Sequence, residues 1–179
     1  MFDAKTIADL ITATRGSLGL VIIWLGLTQG ERAFPAVVTL MLLDWTGDFV
    51  DGRIARSSRH PRHTRLGDSD IFIDAFMSVC LGIYLVSAGF VSLGIGLGFT
   101  LFWAVVLWRF GLEKNLLMLA QTPIYLLFMV VAQQLHPDLG RWMVAWVLVA
   151  LVISWRRFSK ETVPTFIRVV GSMLRRRRP

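Results

Sequence analysis

Six long apolar runs constrain this chain more than any other feature. They cover approximately residues 18–30, 33–54, 69–90, 92–110, 115–135 and 139–155, separated by short clusters rich in Arg. A helix needs about 20 apolar residues to cross the hydrocarbon core of a bilayer. Hydrocarbon offers no hydrogen bonds to backbone groups, so runs of this kind are expected to be helical. The first run is short unless its helix continues back through residues 6–14. Overall, 55% of residues are hydrophobic, 17% are charged and the mean hydropathy is +0.60. A disordered chain, a secreted disulfide scaffold and an ordinary cytosolic enzyme are excluded on these grounds. The expectation is an all-α polytopic membrane protein forming one domain over 1–179, with a basic tail from about residue 156.

Charge placement predicts orientation. If the N-terminus is cytoplasmic, that side of the membrane holds seventeen of the nineteen Lys and Arg residues, and the other side holds only Arg32 and Arg141. Six spans with both ends in the cytoplasm satisfy this bias. The same reasoning reads the Arg175–Arg178 run as a topological anchor touching anionic headgroups, with no nucleic-acid partner. Ahead of it, Val163, Phe166, Val169, Val170 and Leu174 fall at near-helical spacing, as in a helix lying along the membrane surface. The single Cys80 lies in an apolar run and reads as a small buried hydrophobe. Asp3 and Asp9 stand where a cleavable signal would carry basic residues. Gly94 and Gly98 form a small-xxx-small pair that permits close helix packing.

The acids are oddly placed for a purely structural membrane protein. Six of the twelve fall between residues 44 and 74: Asp44, Asp48, Asp51, Asp68, Asp70 and Asp74. Acids within a span are costly and usually mark function. Asp44, Asp48 and Asp51 are four and three residues apart, so they share one helical stripe. Asp70 and Asp74 share a face of the next run. Two helices can therefore aim carboxylates at each other near the cytoplasmic surface, and grouped carboxylates need a cation or shared protons. Pairing with Arg53, Arg56, Arg59 and Arg65 is the competing structural reading. Oxygen ligands without His or Cys favour a hard ion such as Mg²⁺ or Mn²⁺. Asp68 faces elsewhere and reads as a helix cap, and His60 and His63 read as loop residues. Gly52 and Ala55 leave room for a ligand, and the guanidinium of Arg56 suits a phosphate.

The stretch Asp48-Phe-Val-Asp51-Gly52-Arg-Ile-Ala55-Arg56, followed by Gly67, Asp70 and Asp74, resembles the signature of the CDP-alcohol phosphotransferase family. The pattern is D-x2-D-G-x2-A-R, eight or nine residues, then G-x3-D-x3-D. The first half matches at every fixed position. In the second half the glycine is displaced by one place, so that Leu66 occupies its usual position, while the distance from Arg56 to Asp70 is kept. Ala75 follows the last Asp where many members carry Lys. Thr12 and Arg15 look like the family's N-terminal segment.

The resemblance implies a metal-dependent phosphatidyltransferase. A CDP-linked lipid, CDP-diacylglycerol, gives its phosphatidyl group to a small alcohol and CMP leaves. Asp48, Asp51, Asp70 and Asp74 are implied as ligands for Mg²⁺ or Mn²⁺, with Asp74 also the catalytic base. Gly52, Ala55, Arg56, Thr12 and Arg15 are implied around the CDP-lipid. Arg109 and Lys114 lie at the cytoplasmic end of the fourth and fifth runs, where they would suit a phosphorylated acceptor such as glycerol 3-phosphate. A homodimer is also implied. The compact chain and the absence of organelle signals lead to the expectation of a bacterial inner membrane, with the site on the cytoplasmic side. The alternatives are a catalytically degenerate CDP-lipid-binding scaffold and a cation transporter using the acids as an ion path.

Overall fold

The structure, a computed structural model, describes residues 4–57 and 70–157, with side chains described for 13–50 and 72–155. Among the described residues it is entirely helical. The order is α1 (Ala4–Gln29), a 3-10 turn (Gly30–Ala33), α2 (Phe34–Ser57), α3 (Asp70–Ser87), α4 (Leu93–Phe110), α5 (Lys114–Leu135) and α6 (Pro137–Arg157). The apolar runs thus become helices with boundaries close to those expected. The first departs most: α1 reaches back to Ala4, so the polar-flanked segment before residue 18 continues the helix. The expected surface helix after residue 161, the Arg175–Arg178 anchor, His60, His63, Arg59, Arg65, Gly67 and Asp68 lie outside the described residues.

Four stretches are long and apolar enough to cross a membrane: Ala13–Val50, Leu93–Phe110, Lys114–Leu135 and Pro137–Trp155. Phe72–Ser87 is a shorter apolar helix. The first stretch folds back on itself. Gly30, at φ +58°, supplies the left-handed conformation that the tight turn needs, and α1 and α2 run antiparallel from it.

The helices pack around α1. Its closest partner is α3, with α2 on another flank; α5 joins α3, and α6 joins α5 and α2. The α1–α3 approach depends on Gly26. A Cβ there would meet Ser87 Oγ and lie 3.3 Å from the Tyr84 backbone Cα. At the turn end, Phe34 anchors an aromatic cluster, 5.4 Å from Phe90 and 5.3 Å from Phe128 between ring centroids. There the Tyr84 hydroxyl donates to the Gly30 carbonyl at 3.3 Å. Ile22, Val37, Val38, Met41, Met77 and Leu81 are fully buried between these helices. The outer faces are apolar too. On α4 no residue is buried, and Leu97, Leu101, Phe102 and Trp108 stand exposed. Burial in water would never leave such a face open, but hydrocarbon solvates it without cost.

Candidate functional site: a buried arginine among three carboxylates

On α2 the buried stripe reads Val37, Met41, Asp44, so an acid occupies the position of the next core hydrophobe. Asp44 is 1% exposed. Its partner comes from α1. Arg15, 3% exposed, donates from Nε to Asp44 Oδ1 at 2.8 Å. The same guanidinium donates from Nη1 to Asp48 Oδ1 at 3.1 Å. Its Nη2 donates to Asp74 Oδ1 on α3. Three helices therefore meet on one cation.

The depth of this cluster follows from helix rise. Arg15 lies fourteen residues before the end of α1, and Asp74 thirteen before the end of α3. At 1.5 Å per residue, both stand about 20 Å from the turn end of the bundle. With a hydrocarbon core of about 30 Å, the cluster lies in the half of the bundle away from that end. Its exposure is graded. The Asp44 side chain is 2% accessible, whereas those of Asp48 and Asp74 are 45% and 33% accessible. The inner acid is sealed and the two outer ones can be reached.

Aromatic residues wall one side. Trp45 lies 6.0 Å from Tyr125 and 5.7 Å from Trp146 between centroids. Trp146 Nε1 donates to Thr46 Oγ1 at 3.0 Å, tying α6 to α2. The Tyr125 hydroxyl donates to the Asp74 backbone carbonyl at 3.4 Å, tying α5 to α3. One turn earlier on α5, Gln121 is buried, and its Nε2 has no hydrogen-bond partner among the described residues.

The expected site residues are distributed as follows. Asp48 and Asp74 are brought together. Asp51, Gly52, Ala55 and Arg56 lie on the last turns of α2, Asp70 opens α3 and Thr12 lies on α1; their side chains fall outside the described set. Arg15 is buried and donates to Asp44, Asp48 and Asp74. Arg109 and Lys114 are exposed at the end of α4 and the start of α5. Arg109 lies over its neighbour Phe110, 5.6 Å from the ring centroid. Lys114 is eleven residues, about 16 Å of helix, before Tyr125, so neither cation is gathered with the acids in this arrangement.

Two participants lie outside the expected set of site residues. Asp44 was visible on the stripe but was not counted as part of the site. Tyr125 joins through its hydrogen bond to the Asp74 carbonyl, and its signal in the sequence is a polar group inside an apolar run.

Among the described residues no group of three or more His, Cys, Asp or Glu side chains is arranged to hold a metal ion. Three carboxylates face one guanidinium, so the described cluster carries more negative than positive charge when all three acids are ionised. The chain matches no protein-family model, no curated protein and no solved structure.

Proposed function

We propose that this protein is a membrane phosphatidyltransferase of the CDP-alcohol phosphotransferase type, with six spans, both ends in the cytoplasm and its site on the cytoplasmic side. The observation that carries the reading is the convergence of Asp48 and Asp74. These acids begin and end the signature, lie on different helices and accept hydrogen bonds from the same guanidinium. A signature met by chance would have no reason to bring its first and last acids to one point. The strong excess of Lys and Arg on one side supports the orientation.

In this reading Asp48, Asp51, Asp70 and Asp74 hold Mg²⁺ or Mn²⁺, which supplies neutralisation of the diphosphate when bound. The chain's own residues do the rest. Gly52 and Ala55 leave space along α2 for the CDP moiety, and Arg56 pairs with a phosphate. Asp74 accepts the proton of the acceptor hydroxyl. The acceptor oxygen forms a bond to the lipid-bearing phosphorus, the bridging P–O bond breaks, and CMP departs with the bridge oxygen. The acyl chains stay in the bilayer throughout, which explains why such chemistry sits on membrane helices. Arg15 contributes from below, as a fixed cation among the acids. Arg109 and Lys114, exposed at the end of α4 and the start of α5, supply the positive charge that a phosphorylated acceptor such as glycerol 3-phosphate would meet on its approach.

A second reading, a CDP-lipid-binding scaffold without activity, is favoured by one observation: Arg15 already engages Asp48 and Asp74. One experiment separates the two. Purified protein is given CDP-diacylglycerol, Mg²⁺ or Mn²⁺ and a panel of alcohols, and CMP is measured. Release with one acceptor, lost in a folded Asp74→Asn variant, is the expected outcome. Binding of CDP-diacylglycerol with no CMP from any acceptor would establish the scaffold instead.

A further inference from the structure

The turn end of the bundle, opposite the acids, carries four charged residues among those described. Glu31 and Arg32 lie on the 3-10 turn, and Asp138 and Arg141 on the first turns of α6. The two pairs behave differently. Arg141 is satisfied within its own helix, donating from Nη2 to Asp138 and from Nε to the Pro137 carbonyl at 3.3 Å. Glu31 and Arg32 are chain neighbours of opposite charge, yet among the described residues neither forms an ion pair. Both instead line an open cavity of about 550 Å³, together with Gln29, Pro35 and His136. Its frame is anchored in the core. The Gly30 carbonyl accepts from the Tyr84 hydroxyl. The His136 ring stacks on buried Phe34, 6.0 Å between centroids and 20° between planes. A cavity held in place this way loses little freedom when it is filled.

We propose that this cavity binds the headgroup of an amine-bearing phospholipid, with the phosphate on Arg32 and the primary ammonium on Glu31. Two charges of opposite sign suit a zwitterion, since a lone anion is repelled by Glu31 and a lone cation by Arg32. The planar guanidinium takes phosphate oxygens through paired N–H donors. The carboxylate accepts from the N–H groups of an ammonium. His136 adds a ring nitrogen from the α5–α6 junction. The cavity lies where apolar stretches of the chain turn or end, at the level expected for headgroups. A lipid is favoured over a soluble phosphoamine by what adjoins the cavity. From Pro35 an exposed stripe runs along α2 through Thr39 to Leu43, at intervals of one helical turn. The Thr39 hydroxyl donates to the Pro35 carbonyl at 3.0 Å, so its polar atom is satisfied, and Leu43 is 57% exposed. An acyl chain can follow that stripe into the span. The site is independent of the acids and of the chemistry proposed for them.

The test is lipid binding to the full-length, delipidated protein in detergent, read by native mass spectrometry. Dioleoyl phosphatidylethanolamine is titrated beside the phosphatidylcholine and phosphatidylglycerol of the same chains. The wild type should bind phosphatidylethanolamine saturably and about tenfold or more tightly than the other two, because a quaternary ammonium has no N–H to donate and a glycerol headgroup has no cation. Arg32→Gln should weaken phosphatidylethanolamine and phosphatidylcholine alike, by about tenfold or more. Glu31→Gln should weaken phosphatidylethanolamine alone and so erase the preference. Arg141→Gln, at the paired cation, should change nothing. All three are exposed side chains, so the substitutions leave the core untouched. Equal affinity of the three lipids for the wild type overturns the proposal, as does unchanged binding in Arg32→Gln. A loss in Arg141→Gln as large as in Arg32→Gln also overturns it, since that reports only surface charge. Free phosphoethanolamine should compete far more weakly than the lipid, lacking the acyl contact. Competition as strong as the lipid's would assign the cavity to a soluble phosphoamine and overturn the lipid reading.

Discussion

Arg15 shows how far one side chain can determine a site. Its three kinds of nitrogen reach three carboxylates on two other helices. Replacing it with Met leaves Asp44 sealed in the bundle without its counter-ion. Breaking a buried pair in this way typically costs about 3–5 kcal/mol. A large drop in the thermal midpoint of the detergent-solubilised protein is therefore expected for Arg15→Met. Arg15→Lys should recover only part of it, because a compact ammonium cannot reproduce the fork. The stripe of Asp44, Asp48 and Asp51 was readable from spacing alone, since helix geometry makes residues three and four apart neighbours. The partner was not. The neighbouring arginines in the sequence looked like the natural counter-ions, yet the one that faces Asp44 is 29 residues earlier, across a turn. Periodicity reports which face a residue occupies and says nothing about what stands opposite.

At the scale of elements, apolar length set the helices and Gly30 set the reversal between α1 and α2. The start of α1 was the least legible boundary, because its polar N-terminal part lacks the apolar run that announced the rest. Packing between elements depends on features that composition hides. Gly26 lets α1 approach the Tyr84 and Ser87 region of α3 closely. Gly26→Leu should destabilise the protein by about 1–3 kcal/mol through overpacking, although leucine is the better helix former. A lowered unfolding midpoint with helical circular dichroism retained before the transition would bear this out. A midpoint equal to or above wild type would show that the α1–α3 contact is looser than the geometry indicates.

For the whole molecule, the proposed six-span arrangement makes a sidedness prediction. The 3-10 turn and the segment joining α4 to α5 should face opposite sides of the membrane. Cys80 is buried, so single cysteines introduced at the exposed Glu31 and Leu112 can be labelled against a low background. A membrane-impermeant maleimide added from the side holding the Lys and Arg excess should label Leu112→Cys and spare Glu31→Cys. Labelling of both from one side would refute the topology.

The amino-acid sequence by itself determined the all-helical character, the helix positions and the stripe of acids, because these follow from local apolar length and helical period. Only the tertiary structure decided that Arg15 is a cation shared by the acids, that Asp44 is sealed while Asp48 and Asp74 remain accessible, and that Tyr125 bonds to the backbone of Asp74. Those facts depend on which helix faces bring distant residues together. That pairing is settled by packing across the bundle, where close approach at a glycine and the cost of an uncompensated buried charge act between segments far apart in the chain.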